Sequence, residues 1–196
     1  MKWFKSITTV IVSLMLVLTV VCGMVFTYTQ NNSGRYTGIY NLSESDREWI
    51  IEQFGDCTYI KCLLNCVEDY ALEHFEYDTS KNQMFQHFDF RDTVSTNKGI
   101  CFDFSCFLKS CCLVWSEHTN TELKVYVVDV CKRKNILAPH HSYNVVMMPD
   151  GKNYYIDLTN DLALNKKGKD IIGIEVFYTS IKTYAAKYGE TVLNYH

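Results

Sequence analysis

Residues 101–115 carry the pattern that constrains this chain most. Phe104, Phe107, Leu108, Cys111 and Trp115 recur there at three- and four-residue spacing, the stripe of a helix buried along one face. Gly99-Ile100-Cys101 leads into that stripe, so Cys101 falls in the first helical turn. Unpaired amide N–H groups and the positive end of the helix dipole converge at that point, and both favour a thiolate over a thiol. Gly99 is expected to let the backbone turn sharply into the helix and leave the sulfur exposed at its tip. Cys106, Cys111 and Cys112, further along, read as small apolar residues of the core.

The partners for such a thiol lie downstream. His141 to Met148 is strand-like, Pro149-Asp150-Gly151 is a turn, and Lys152 to Thr159 returns as a second strand. A Pro-Asp-Gly loop suits a three-residue hairpin, a type I turn followed by Gly151 in the left-handed region. Met148 then faces Lys152, Tyr143 faces Asp157 and His141 faces Thr159. In this register His141 and Asp157 are diagonal neighbours on one face, about 7–8 Å apart at the backbone, within reach of an imidazole–carboxylate contact. A two-residue loop would put them on opposite faces, so the turn type decides the matter. His140 precedes the pattern by one residue and should point the other way.

Cys101, His141 and Asp157 in that order resemble the nucleophile, base and orienting acid of the transglutaminase-like superfamily. The resemblance covers roughly residues 60–160 and rests on Tyr77-Asp78, Gly99-Ile100-Cys101, His141-Ser142-Tyr143-Asn144 and Tyr155-Ile156-Asp157-Leu158-Thr159. Members usually show Gly-apolar-Cys, then His-Ala-Trp-Asn, then an aromatic-rich strand ending in Asp-x-Thr. This chain departs from that pattern at Ser142, Tyr143 and Phe102, and in having no glycine after the cysteine helix; these departures bear on substrate class. The resemblance implies a papain-like arrangement and a bacterial-type, membrane-anchored or secreted member. It also implies acyl transfer or hydrolysis on a protein or peptide substrate through a Cys101 thioester. The backbone N–H of Cys101 is a natural oxyanion donor, and a second donor should come from a side chain upstream.

Each residue also has a plainer reading. A strand histidine is often a hydrogen-bonded structural residue, and an Asp before Leu-Thr often caps a strand end. The rival from another class is a catalytically silent, membrane-anchored domain that holds a partner protein, for which Phe102, Tyr143 and the many tyrosines would supply a surface.

Elsewhere the pattern reads as α+β, helices first and an antiparallel sheet packed on the cysteine helix. Ser45-Asp46-Arg47-Glu48 is a capping box that opens a short helix ending at Gly55, and a second helix spans about Thr58 to Phe75. Residues 79–97 read as an irregular surface segment. Leu123 to Val130 is a strand, and a helix runs through Tyr184-Ala185-Ala186. The domain is expected over 45–196, after a linker at 28–44.

Before the linker, Lys2 and Lys5 precede an uncharged apolar run from Ile7 to Phe26, about the length of a membrane span. Lysines held inside place the rest of the chain outside, with residues 1–27 as an anchor or signal peptide. The net charge of −3 gives no reason to expect nucleic acid. Nine cysteines in an exported chain invite a metal or disulfide reading. Cys62 and Cys66 are one helical turn apart near Cys57, but no second pair or histidine cluster accompanies them, so free thiols are expected, with no metal and no cofactor.

Overall fold

The computed structural model describes residues 11–20, 34–81, 87–132, 141–159 and 174–196. The chain divides into two compact units, Met1–Arg35 and Tyr36–His196. In the first, residues 11–20 form a helix, α1, with exposed apolar side chains. The rest of the apolar run lies outside the described residues, and among those described no helix is long and apolar enough to cross a membrane.

The second unit takes in part of what the sequence suggests is linker. A short helix α2 (Thr37–Tyr40) buries Ile39, and Tyr36 beside it is buried too. Helix α3 (Glu44–Phe54) starts two residues earlier than its sequence suggests. Ser43 Oγ accepts from the Asp46 N–H at 3.2 Å and Asp46 Oδ2 accepts from the Ser43 N–H at 3.1 Å, a reciprocal cap. Ser45 lies inside the helix, and its hydroxyl accepts from Arg91 at 3.1 Å. Helix α4 (Ile60–His74) buries Ile60, Leu63, Leu64, Val67 and Ala71, the expected stripe.

Residues 79–97 are not irregular throughout. Asp89 caps a short helix α5 (Phe90–Thr96), and Phe90 inserts into the core to stack on Phe107, ring centroids 5.6 Å apart. At seven residues the helix is too short to show periodicity. Asn97 ends it in the left-handed conformation, φ 56°.

Helix α6 (Cys101–Thr119) is the centre of the unit. Every residue from Cys101 to Cys112 is buried, Asp103, Ser105, Lys109 and Ser110 included. A helix with one wet face was the expectation; this one is enclosed on all sides because α2, α3 and α5 cover it opposite the sheet. Of its buried polar residues, Lys109 donates from its ammonium to the Tyr40 hydroxyl at 2.9 Å.

Five antiparallel strands follow in the order β6-β5-β4-β3-β7: β3 (Lys124–Lys132), β4 (His141–Met147), β5 (Asn153–Ile156), β6 (Ile174–Phe177) and β7 (Glu190–Tyr195). Alternation along the strands splits the sheet's two faces. Val125, Val127, Val146, Tyr154 and Ile156 join α6 in the main core. Val128, Val130, Tyr143 and Val145 form a second core with Phe177 and with Ile181 and Tyr184 of α7 (Ile181–Lys187). This is an α+β fold.

Candidate active site

Cys101 opens α6 behind a start fixed from both sides. Ile100 is the extended N-cap residue, and its N–H donates to Asp103 Oδ2 at 3.0 Å. Burial raises the Asp103 pKa, against the Ile100 N–H and Lys81, whose ammonium lies 3.7 Å from the carboxylate. Gly99 serves close packing rather than the expected turn. A Cβ there would meet Asp103 Cβ and Phe104 Cε1 at 2.9 Å, and its φ is not positive. The turn falls instead at Asn97.

The hairpin has the register read from its loop. Gly151 sits at φ 82°, the Met148 N–H donates to the Lys152 carbonyl at 2.9 Å, and Asn144 lies opposite Ile156. His141 at the start of β4 and Asp157 just past the end of β5 therefore come together at the sheet end away from the turn. His141 Nε2 is 2.6 Å from Asp157 Oδ2, at the short end of a charge-assisted bond. The Tyr155 hydroxyl donates to the same oxygen at 3.2 Å.

Cys101 acts on His141 at close range, so the structure brings all three residues together. Burial pulls the histidine pKa down, but the Asp157 hydrogen bond, then Cys101 and the two charges, outweigh it and push it up to about 10. The imidazole is thus held as the cation through the neutral range. His140 lies outside the described residues.

No family model and no curated protein matches the sequence. Among solved structures it is similar to a candidate cysteine protease from Cytophaga hutchinsonii, with a TM-score of 0.46 and 16% identity over 78% of this chain and 49% of that one. It is also similar to a TGase, with a TM-score of 0.38 and 19% identity over 86% of this chain and 44% of that one. The chain spans about half the length of these structures.

The sulfur is not exposed at the helix tip as expected: Cys101 is 2% exposed. Tyr77 is one of the groups at its side. Strand β1 (Glu76–Tyr77) runs parallel to β2 (Lys98–Gly99), Tyr77 opposite Gly99, and the Asp78 N–H donates to the Gly99 carbonyl at 2.8 Å. This ladder sets the phenol against the helix start, beside Cys101. Burial, then the neighbouring Cys101, raises the Tyr77 pKa, so the hydroxyl keeps its proton. Tyr77 is the upstream side chain that the structure places beside Cys101; its only sequence signal was the Tyr-Asp pair after α4. Removal of that hydroxyl by Tyr77→Phe is expected to lower kcat roughly a hundredfold with little change in KM, as for loss of one oxyanion donor. Steady-state kinetics check this, and an unchanged kcat would take Tyr77 out of the chemistry.

Four motif residues have structural work. The Asn144 amide donates to the Ser105 carbonyl at 2.8 Å and ties β4 to α6. Ser142 donates to the buried Asp129 at 2.6 Å. Tyr143 is fully buried against Tyr155, centroids 4.6 Å apart, and Phe102 is fully buried as well. Neither can form the exposed binding surface considered above.

Proposed function

We propose that the chain is a transglutaminase-like cysteine enzyme that performs acyl transfer or hydrolysis on a peptide or glutamine amide. The observation that carries the reading is the juxtaposition of Cys101, His141 and Asp157 at the start of a helix. The Cys101 thiolate attacks the amide carbon and the carbonyl π pair moves to oxygen. The oxyanion accepts the backbone N–H of Cys101 and the phenol O–H of Tyr77 as its two bonds. Collapse expels the amine, which takes the proton from His141 and leaves a Cys101 thioester. Water or a primary amine then attacks the thioester. Neutral His141 removes the nucleophile's proton, and the thiolate departs with the histidine charged again. Asp157, buried and accepting from Tyr155, keeps the imidazole oriented and stabilises its cation throughout.

Incubating the protein with a peptide library and a primary amine, read by mass spectrometry, tests the proposal. Hydrolysed amides, amine-substituted amides or a Cys101-bound acyl group are the expected products. The absence of all three would overturn the enzyme reading.

The proposal extends to location. Lys2 and Lys5 before the run from Ile7 to Phe26 support an N-terminal membrane segment with the remainder exported. The full chain is expected to stay in the membrane fraction after alkaline carbonate washing. Release by the wash, or an N-terminus mapped at Met24, would contradict the anchor.

A further inference from the structure

Three sulfurs meet far from the candidate site in sequence. Cys62 and Cys66 stand one turn apart on the first half of α4, and Cys57 reaches them from the segment before that helix. Cys57 Sγ lies 3.2 Å from Cys62 Sγ and 3.6 Å from Cys66 Sγ, and all three lie within 4.8 Å of one another. Cys57 is buried, whereas Cys62 and Cys66 are half-buried at the rim. The Cys57 carbonyl accepts from the Trp115 indole N–H at 2.8 Å, so the loop end of the triangle is pinned to α6.

We propose that Cys57, Cys62 and Cys66 form a binding site for one thiophilic d10 cation, Zn(II) or Cu(I), held by three thiolates with a fourth position left to an external ligand. Sulfurs sharing a tetrahedral zinc at about 2.3 Å are roughly 3.7 Å apart, so the triangle needs changes of only tenths of an ångström along two edges. Soft sulfur ligands select these metals over magnesium or calcium. A disulfide would use two of the sulfurs and leave the third without purpose. Burial, then the two neighbouring sulfurs, raises the Cys57 thiol. A bound cation reverses that sign and makes the close approach favourable. Binding forms three metal–sulfur bonds and releases the three thiol protons to solvent. The spacing in sequence lacks a second cysteine pair; the fold supplies the third ligand by bringing Cys57 onto the face of α4. The consequence is a clip: the metal joins the Cys57 segment to α4, and the Trp115 hydrogen bond carries the tie to the helix that begins at Cys101.

The test is a cobalt titration of reduced full-length protein under anaerobic conditions, in the Cys101→Ala background so that the candidate catalytic thiol cannot answer. One equivalent of Co(II) is expected to give a thiolate-to-cobalt charge-transfer band and the intense visible bands of tetrahedral coordination, both bleached by one equivalent of Zn(II). Zinc should also raise the melting temperature and protect Cys57, Cys62 and Cys66, but not Cys101 of the wild type, from alkylation mapped by peptide. Cys62→Ser, at the half-buried rim, should weaken cobalt binding by more than about a hundredfold, whereas Cys131→Ser should leave it unchanged. The protection experiment needs no variant, so a misfolded mutant cannot decide the outcome. Absence of the charge-transfer band, its survival in Cys62→Ser, or equal alkylation of the three cysteines with and without zinc would overturn the site.

Discussion

Cys101→Ala and His141→Ala are each expected to reduce turnover of an amide substrate by roughly four orders of magnitude or more, to the level that binding and the oxyanion donors alone sustain. The reason is that the two side chains act as one unit. Without the sulfur no thioester forms; without the imidazole the sulfur has no cation beside it and the leaving amine has no proton source. Their effects should therefore not add, and the double variant should be no slower than either single one. Asp157→Ala should leave more residual activity, because the carboxylate holds the imidazole at 2.6 Å and touches no reacting atom. Pre-steady-state and steady-state rates on a substrate found in the library experiment check all three. A His141→Ala protein with near wild-type turnover would remove the histidine from the mechanism.

The second large effect is on stability. Phe107→Ala is expected to cost about 3–5 kcal/mol, the usual range for emptying a large buried aromatic site. The ring is fully buried in α6 and sits among Phe75 at 4.9 Å, Phe90 at 5.6 Å, Tyr70 at 5.9 Å and Trp49 at 6.4 Å between centroids. Those four rings come from three separate segments, α3, α4 with its C-cap, and α5, so little backbone movement can close the cavity. Urea unfolding followed by tryptophan fluorescence measures the loss. A cost below about 1 kcal/mol would mean that the aromatic cluster does not hold α6 in place.

What could be read in the chain and what could not divides along the range of the interactions. The hairpin was legible because its geometry is local: Pro149-Asp150-Gly151 demands a left-handed glycine, Gly151 takes φ 82°, and the register places His141 and Asp157 on one face. The helix that starts at Cys101 was legible from its spacing, but its burial on every side was not, since the extra cover comes from α2 and α5, too short to declare themselves. Tyr77 was invisible as a partner of Cys101 because a two-residue parallel ladder to Gly99, twenty-two residues away in sequence, brings it there. Strand β7 was unforeseen for the same reason; its place is set by pairing with β3. Phe102 and Tyr143 looked like surface residues by their departure from a motif, and packing put both inside.

The measurement that tests the central claim most directly needs no substrate: iodoacetamide labelling with peptide mapping from pH 4 to pH 9. At pH 6 an ordinary cysteine is thiolate to only roughly 0.3%. His141, pushed up to about 10, keeps its charge far above its ordinary range. The imidazolium beside the sulfur therefore persists below that value and is lost as the pH rises through it. Because access to the sulfur scales labelling equally at every pH, the shape of the curve reports ionisation alone. Cys101 is expected to label readily at pH 6 where buried Cys106, Cys111 and Cys112 do not, and His141→Ala should move its curve to higher pH. A wild-type Cys101 curve that falls away by pH 6 as an ordinary thiol's does, or one unmoved by His141→Ala, would contradict the account.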